Sequence, residues 1–263
     1  MTPSKRLIVT ADDFGYNARV NEAVVKAYEG GILRYASLMV DRPGAEEAAA
    51  LAKERPGLGV GLHLELCASN PAVWGARYFF SPSDRARIVP EIERQFEKLR
   101  SLGLTPTHVD GHFNIHVHPV IFPRLCKAAL KFGAPRVRLP GGEDGLCKSY
   151  GKGGSFGEAF VFGLLRSWLA SSALGLAVPP RTFGLLRSGL MDEDYLSWLI
   201  ERLPEGETEI YLHPTTDPAS EVSDRPTPTH HTVTEMRALM SPRVREALRK
   251  AGAALEETAG AAS

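Results

Sequence analysis

Leu7-Ile8-Val9-Thr10-Ala11-Asp12-Asp13-Phe14-Gly15 delivers two adjacent carboxylates to the end of an apolar strand, then turns the chain with an aromatic and a glycine. Neighbouring Asp side chains at a strand end repel each other unless a cation lies beside them. A divalent metal is the simplest such partner, since one carboxylate then binds it while the other stays free as a base. An acidic turn accounts for the pair equally well when the stretch stands alone, because Asp and Gly are ordinary turn residues. The rest of the chain decides between the two.

Short apolar strands alternate with longer helical stretches on either side of this segment, the pattern of an α/β fold with a parallel sheet. Leu7–Thr10 is followed by a helix over Val20–Glu29, with Val20, Ala23, Val24 and Ala27 on one face and Gly30-Gly31 at its end. Strands are expected at Ala36–Val40, Leu58–Leu66, Thr107–Asp110, Val137–Leu139 and Glu209–Leu212. Helices are expected at Ala45–Arg55, Pro90–Leu102, Val120–Phe132, Asp192–Arg202 and, as one closing helix, Val233–Ala251. Gly141-Gly142 and Gly151 to Gly154 bracket an expected mobile loop, and the Ala/Gly-rich tail 253–263 is expected to fray. No repeat or linker divides the chain, so 1–263 reads as one domain. No glycine-rich dinucleotide fingerprint follows the first strand, which favours a distorted, TIM-like (βα) barrel of parallel strands over an open sheet.

Composition narrows the function. The chain has 263 residues, of which 43% are hydrophobic and 24% charged, as in ordinary globular proteins. Lys plus Arg and Asp plus Glu each total 31. That balance, with no long basic run, gives no sign of a nucleic-acid binder and suits a neutral or polar substrate better. Cys67, Cys126 and Cys147 form no Cys-x-x-Cys pair, which speaks against a disulfide framework or a thiolate zinc site and for a reducing cytoplasm. No secretory leader is expected, since the sequence runs almost directly into the first strand. The apolar insertion 158–178 is interrupted by Arg166, Ser167, Ser171 and Ser172 and reads as non-spanning. It is expected to pack on the barrel or on a second copy in a homodimer, or to act as a lid or peripheral membrane contact for an amphiphilic substrate.

The unusual residues all fall at expected strand ends. Asp12 and Asp13 follow the first strand, and His63 sits in Gly-Val-Gly-Leu-His-Leu-Glu-Leu. His108, Asp110, His112, His116 and His118 surround the fourth strand, and His213 follows Glu-Ile-Tyr-Leu. In a parallel barrel these ends converge on one mouth, where such folds build active sites. Five of the eight histidines lie at 63 or between 108 and 118. One carboxylate and two imidazoles would bind a metal and leave positions open for water and substrate. His112 and His116 stand four apart, which fits a helix or, given Gly111 and Pro119, an extended loop.

These motifs resemble the YdjC-like family of carbohydrate deacetylases over nearly the whole chain. The matching segments are Thr-Ala-Asp-Asp-Phe-Gly at 10–15, Gly-Leu-His-Leu at 61–64, His-Val-Asp-Gly-His at 108–112 with His116 following, and Leu-His-Pro at 212–214. Within the family the chain is most similar to the hopanoid-biosynthesis-associated (HpnK-type) branch, through Ala36–Val40, Phe183-Gly184-Leu185 with Ser188-Gly189, and Glu209–Pro214. The resemblance implies hydrolysis of the N-acetyl group of an N-acetylglucosamine-type sugar, either lipid-linked or in a soluble chito-oligosaccharide such as diacetylchitobiose. It implies Asp13, His63 and His112 as ligands of one divalent ion, zinc or magnesium, with Asp12 as general base and His213 facing the metal from across the substrate. His116, Asn114, Arg138 and Phe14 are the expected substrate contacts. Family members often carry histidine where Asn114 stands, a departure that touches substrate binding more than the metal. A location in the cytoplasm, at the inner membrane face for a lipid substrate, goes with this reading.

The chemistry agrees with those roles. An amide has a weak electrophile and a poor leaving group, so it needs a Lewis acid, a base for water and an acid for the amine. His213 needs a carboxylate partner to stay protonated near a metal; the sequence does not identify it, and Asp110 is a candidate. Arg138 is expected to orient a carboxylate or to bind substrate. Two other classes also fit two histidines and one carboxylate: a non-haem iron oxygenase and a non-catalytic, metal-stabilised sugar-binding protein. The free Asp12 beside the ligand speaks against the first, and loss of turnover without loss of binding in Asp12→Asn would exclude the second.

Overall fold

The computed structural model describes residues 4–67, 70–151, 156–221 and 231–258. Strands β1 (Lys5–Phe14), β2 (Tyr35–Leu38), β3 (Gly59–Leu64), β4 (Val109–Gly111), β5 (Arg181–Phe183), β6 (Gly206–Leu212) and β7 (Ala253–Leu255) form one sheet. Its order is β4-β3-β2-β1-β6-β5, with every ladder parallel, and β7 pairs with the first residues of β1. The sheet is a curled half-barrel. Single bridges span the arc between β4 and β5: Val109 with Val137, Arg136 with Ala177, and Gly141 with Thr182. Val137–Leu139, expected as a full strand, is reduced to the first of these bridges.

Ten helices pack around this sheet among the described residues: α1 (Ala18–Gly30), α2 (Ala45–Lys53), α3 (Pro71–Phe80), α4 (Pro82–Ser101), α5 (Phe122–Phe132), α6 (Asp144–Ser149), α7 (Phe156–Leu169), α8 (Glu193–Arg202), α9 (Val233–Met240) and α10 (Pro242–Ala251). Leu7 through Phe14 of β1 are all buried, as a central parallel strand covered on both faces must be. The turn out of β1 is specified locally. Gly15 has φ +88°, and a Cβ there would lie 2.8 Å from Leu38 Cδ1. Asn17 then caps α1, accepting from the backbone N–H groups of Arg19 and Val20 at 3.0 Å. The buried Asn21 side chain ties this turn to the next, accepting from Gly15 N (2.8 Å) and donating to Gly44 O (3.0 Å).

Three expectations change. The closing helix is two helices, because Ser241 caps and Pro242 begins a new one after α9. Replacing Ser241 with Ala removes acceptors for Arg243 N (3.0 Å) and Val244 N (3.3 Å). A cost of about 1 kcal/mol is expected, read as a melting point lower by about 2–4 °C. Residues 253–255, expected to fray, extend the sheet as β7, which β1 orders by parallel pairing; residues 259–263 lie outside the described residues. The long charged helix begins at Pro82 and accommodates Pro90 within it, while α3 precedes it unanticipated. Of the glycine-rich loop, 152–155 lie outside the described residues. No helix among the described residues is long and apolar enough to cross a membrane.

Candidate metal centre and active site

Regular strands send successive side chains to opposite faces, so Asp12 and Asp13 could not share one mouth from an unbroken strand. The β1–β2 register shifts between Ala11 and Phe14, and Asp13 adopts φ +61°. This bulge re-aims both carboxylates into one cavity. The left-handed conformation is strained for Asp, and Phe113 (φ 53°) and Asn114 (φ 52°), which also line this cavity, share it. Backbone strain of this kind clusters at functional sites, which makes the cavity the candidate one.

Asp13, His63 and His112 converge there, each buried, with donor atoms within 4.8 Å of one another. Asp13 Oδ1 lies 3.1 Å from His63 Nε2 and 2.9 Å from His112 Nδ1. Donors about 2.0–2.1 Å from one ion would stand about 2.8–3.4 Å apart at octahedral to tetrahedral angles, so the group fits a divalent ion. The tautomer fits too. His63 pairs in register with Asp110 across the β3–β4 ladder, and its Nδ1 lies 2.7 Å from Asp110 Oδ1. With Nδ1–H donating there, the Nε2 lone pair faces Asp13, the carboxylate–histidine arrangement that orients metal ligands. Burial disfavours charge on His63, but Asp110, Asp12 and Asp13 outweigh it and hold the imidazole well above its ordinary range. The field at this point favours positive charge. A carboxylate with two imidazoles suits zinc, and oxygen with waters suits magnesium.

Asp12 is held by a different partner. The fully buried Arg138 guanidinium grips both its oxygens, Nη1 to Oδ2 at 2.6 Å and Nη2 to Oδ1 at 2.8 Å. The same side chain reaches Asp110 Oδ2 (2.8 Å) and Glu209 Oε1 (2.9 Å), and Tyr211 stacks under it at 4.3 Å. One cation therefore organises three carboxylates from β1, β4 and β6. Burial raises the Asp12 carboxyl to about 6 against the pull of Arg138, with Asp110 pushing the same way as burial. Burial also pushes Asp110 up, but Arg138 and His63 outweigh it and hold its carboxyl well below the usual range.

His213 stands across the cavity, its Nε2 3.9 Å from Asp12 Oδ2. Its carboxylate neighbour is Glu235 of α9, not Asp110, which is committed to His63 and Arg138. Glu235 Oε2 lies 3.9 Å from His213 Nδ1 and accepts the His213 backbone N–H at 2.6 Å. Burial pushes the Glu235 carboxyl up to about 8. Ser188 Oγ lies 3.4 Å from the same Nδ1.

The cavity between these groups is about 320 Å³, at the lower end of the range for small-ligand sites. Asp12, Asp13, His63, His112, Asn114 and His213 line it, with Phe113, Phe162, Leu185 and Leu186 as apolar walls. Three expected substrate contacts lie behind this lining. Arg138 is buried under Asp12, Phe14 is in the core, and His116 turns its Nε2 to the Arg138 carbonyl at 3.1 Å. His112 and His116 diverge because the backbone kinks at Phe113 and Asn114 within a short 3-10 turn. His108 is also packed inside, bonded to Ser37 Oγ (3.0 Å), where a Cβ on Gly61 would lie 2.6 Å from its ring. His118 lies against Phe79 with ring centres 4.2 Å apart. His231, Glu235, Glu209 and Tyr211 join the site without having been singled out. His231 adjoins Thr-x-x-Glu at 232–235, a helix-start signal that placed neither side chain. A larger cavity of about 520 Å³ between α3 and α4 holds no such group, and most of its lining charges are paired, Arg94 with Glu91 inside it and Glu65 and Asp84 with Arg42 and Arg77 outside it.

The YdjC-like protein family model matches residues 6–250. A carbohydrate deacetylase of Thermoanaerobacter pseudethanolicus is 31% identical over 226 residues, 80% of this chain and 81% of that protein. The carbohydrate deacetylase of Geobacillus stearothermophilus is 38% identical over 147 residues, 49% of this chain, and the match spans little more than half of that relative, 57%. Among solved structures, a protein from Enterococcus faecalis V583 proposed to cleave cellobiose phosphate superposes with a TM-score of 0.70 at 19% identity, covering 96% of this chain and 97% of that one. That likeness concerns the fold.

Proposed function

This chain belongs to the YdjC-like family, and from that premise we propose that it is a metal-dependent hydrolase removing the N-acetyl group from an amino sugar. The observation that carries the reading is the Asp13–His63–His112 group beside a second carboxylate, Asp12, held by Arg138 on the same cavity wall. In this reading Asp13, His63 and His112 hold the ion. When bound, it supplies Lewis acidity to the acetyl carbonyl and acidifies water beside it. Asp12 takes the proton of the attacking water, and its carboxyl, raised to about 6, is a stronger base than an ordinary aspartate. Arg138 fixes the direction of both Asp12 oxygens. His213, across the cavity, gives a proton to the departing amine, and Glu235 behind it holds the His213 backbone N–H. Asn114 reaches the sugar, while Phe113, Leu185 and Leu186 keep bulk water out.

In its finer form the substrate is an N-acetylglucosaminyl group on a hopanoid lipid, met at the inner face of the membrane by a cytoplasmic protein. The three segments shared with the HpnK-type branch support it, and so does α7. Phe162 of that helix lines the cavity, while Phe160, Val161, Leu164 and Trp168 are 52–66% exposed. A second reading, a soluble chito-oligosaccharide, is favoured by a chitooligosaccharide deacetylase of Serratia marcescens, 34% identical over 148 residues. Acetate release by purified protein of defined metal content, on acetylglucosaminyl lipid and on diacetylchitobiose, separates them. The first reading expects acetate from the lipid, with turnover falling several-fold when Phe160, Leu164 and Trp168 become Ser. Acetate from diacetylchitobiose alone establishes the second, and acetate from neither, with metal bound, refutes the deacetylase.

A further inference from the structure

Asp13 offers its two carboxylate oxygens to different neighbours. Oδ1 faces His63 Nε2 at 3.1 Å and His112 Nδ1 at 2.9 Å, whereas Oδ2 lies 2.8 Å from His231 Nε2. Both partners of the last contact are buried, Asp13 at 1% exposure and His231 at 6%, so water does not compete for it. The His231 ring is fixed from the side by Tyr16, edge-on with ring centres 4.9 Å apart. Tyr16 is in turn tied to the Asp13 carbonyl by its backbone N–H at 2.9 Å. The β1 turn thus builds the clamp that holds its own carboxylate.

We propose that His231 is a positioning residue that restricts Asp13 to one-oxygen binding of the divalent ion, and so keeps one coordination position open for water or the substrate amide oxygen. The inference rests on the Asp13–His63–His112 reading of the ligands. A carboxylate bound to a metal swings readily between one and two oxygens. An imidazole N–H donating to Oδ2 takes up that oxygen and stabilises the one-oxygen form. The effect is an outer partner's: it orients a ligand without touching the ion.

Metal binding and cobalt spectra test this without any substrate. Metal-free protein is titrated with Co(II), whose visible absorption weakens as coordination number rises, and with Zn(II) for affinity. His231→Ala is expected to weaken binding about 10–100-fold, the usual cost of losing an outer partner, and to lower the cobalt absorption as Oδ2 joins the ion. His231→Gln, whose amide N–H can reach Oδ2, should stay close to the parent in both. Should the Ala variant fail to fold, His231→Leu fills the same volume without a donor. Parent-like affinity and spectrum in the Ala or Leu variant would overturn the proposal, since His231 would then only pack. Equal losses in Ala and Gln would also overturn it, by making His231 a ligand. A parent protein that binds neither ion fails the ligand reading itself, and the titration of the parent alone reveals that.

Discussion

Asp12→Asn is expected to bind its divalent ion as the parent does and to lose turnover by about 10²–10⁴-fold, whereas Asp13→Ala loses the ion first. The asymmetry follows from what each carboxylate touches. Asp13 meets His63, His112 and His231, and removing it takes away the oxygen at the centre of the ligand group. Metal affinity should fall by more than the about 10–100-fold that an outer partner costs. Asp12 meets Arg138 and the cavity. An Asn there keeps the shape, but its NH₂ opposes one guanidinium N–H, a loss of about 1.5–3 kcal/mol. Arg138 retains Asp110 and Glu209, so the variant should fold and melt several degrees lower. That deficit is too small to explain the loss of turnover, which leaves the missing base as its cause. Metal content of the purified variants and acetate release at saturating ion are the measurements. An Asp12→Asn protein that releases acetate at the parent rate, or that has lost its metal, would remove Asp12 from the role of base.

Much of this centre is legible in the chain because its chemistry is local. The Asp pair, Gly-Leu-His-Leu and the His-Val-Asp-Gly-His run each announce a strand end, and parallel strands bring their ends together. The illegible parts depend on distance or on backbone detail. Nothing in Thr-Ala-Asp-Asp-Phe-Gly reveals the bulge that aims both carboxylates one way, since a straight strand has the same composition. In the histidine-rich run the kink at Phe113 and Asn114 decides that His112 enters the cavity and His116 does not. Spacing left this open, since two residues four apart fit one helical face or an extended loop equally well. Glu235 and His231 arrive from the far end of the chain, and Asp110, a candidate partner of His213 from its place at a strand end, is committed to His63 and Arg138 instead. The break between α9 and α10 was readable. Ser241-Pro242 is a helix-start signal within a continuous apolar period, and the periodicity was given too much weight. The last strand was not, because Ala253–Leu255 becomes a strand only when β1 offers an edge.

Arg138→Leu should be the most damaging single substitution for stability. A charged residue between Val137 and Leu139 suits a solvated strand end as well as a site. Its meaning depends on three carboxylates, Asp12, Asp110 and Glu209, that reach it from β1, β4 and β6. All four side chains are at most 4% exposed. Removing the cation leaves the carboxylates facing one another without compensation, and breaking a buried pair in this way costs about 3–5 kcal/mol. For a chain of this size that corresponds to a melting point lower by about 6–20 °C. Arg138→Lys keeps the charge but not the fork. A single ammonium cannot hold both oxygens of Asp12 and also reach Asp110 and Glu209, so its stability should fall between parent and Leu, with turnover reduced because Asp12 is free to rotate. Adding Glu209→Gln to Arg138→Leu removes one of the stranded charges and should recover part of the lost stability, a coupling that two independent sites would not show. Thermal melts of the four proteins decide the matter. If Arg138→Leu melts within a degree or two of the parent, the carboxylates are not held by this guanidinium, and another source must be found for the fixed direction of Asp12.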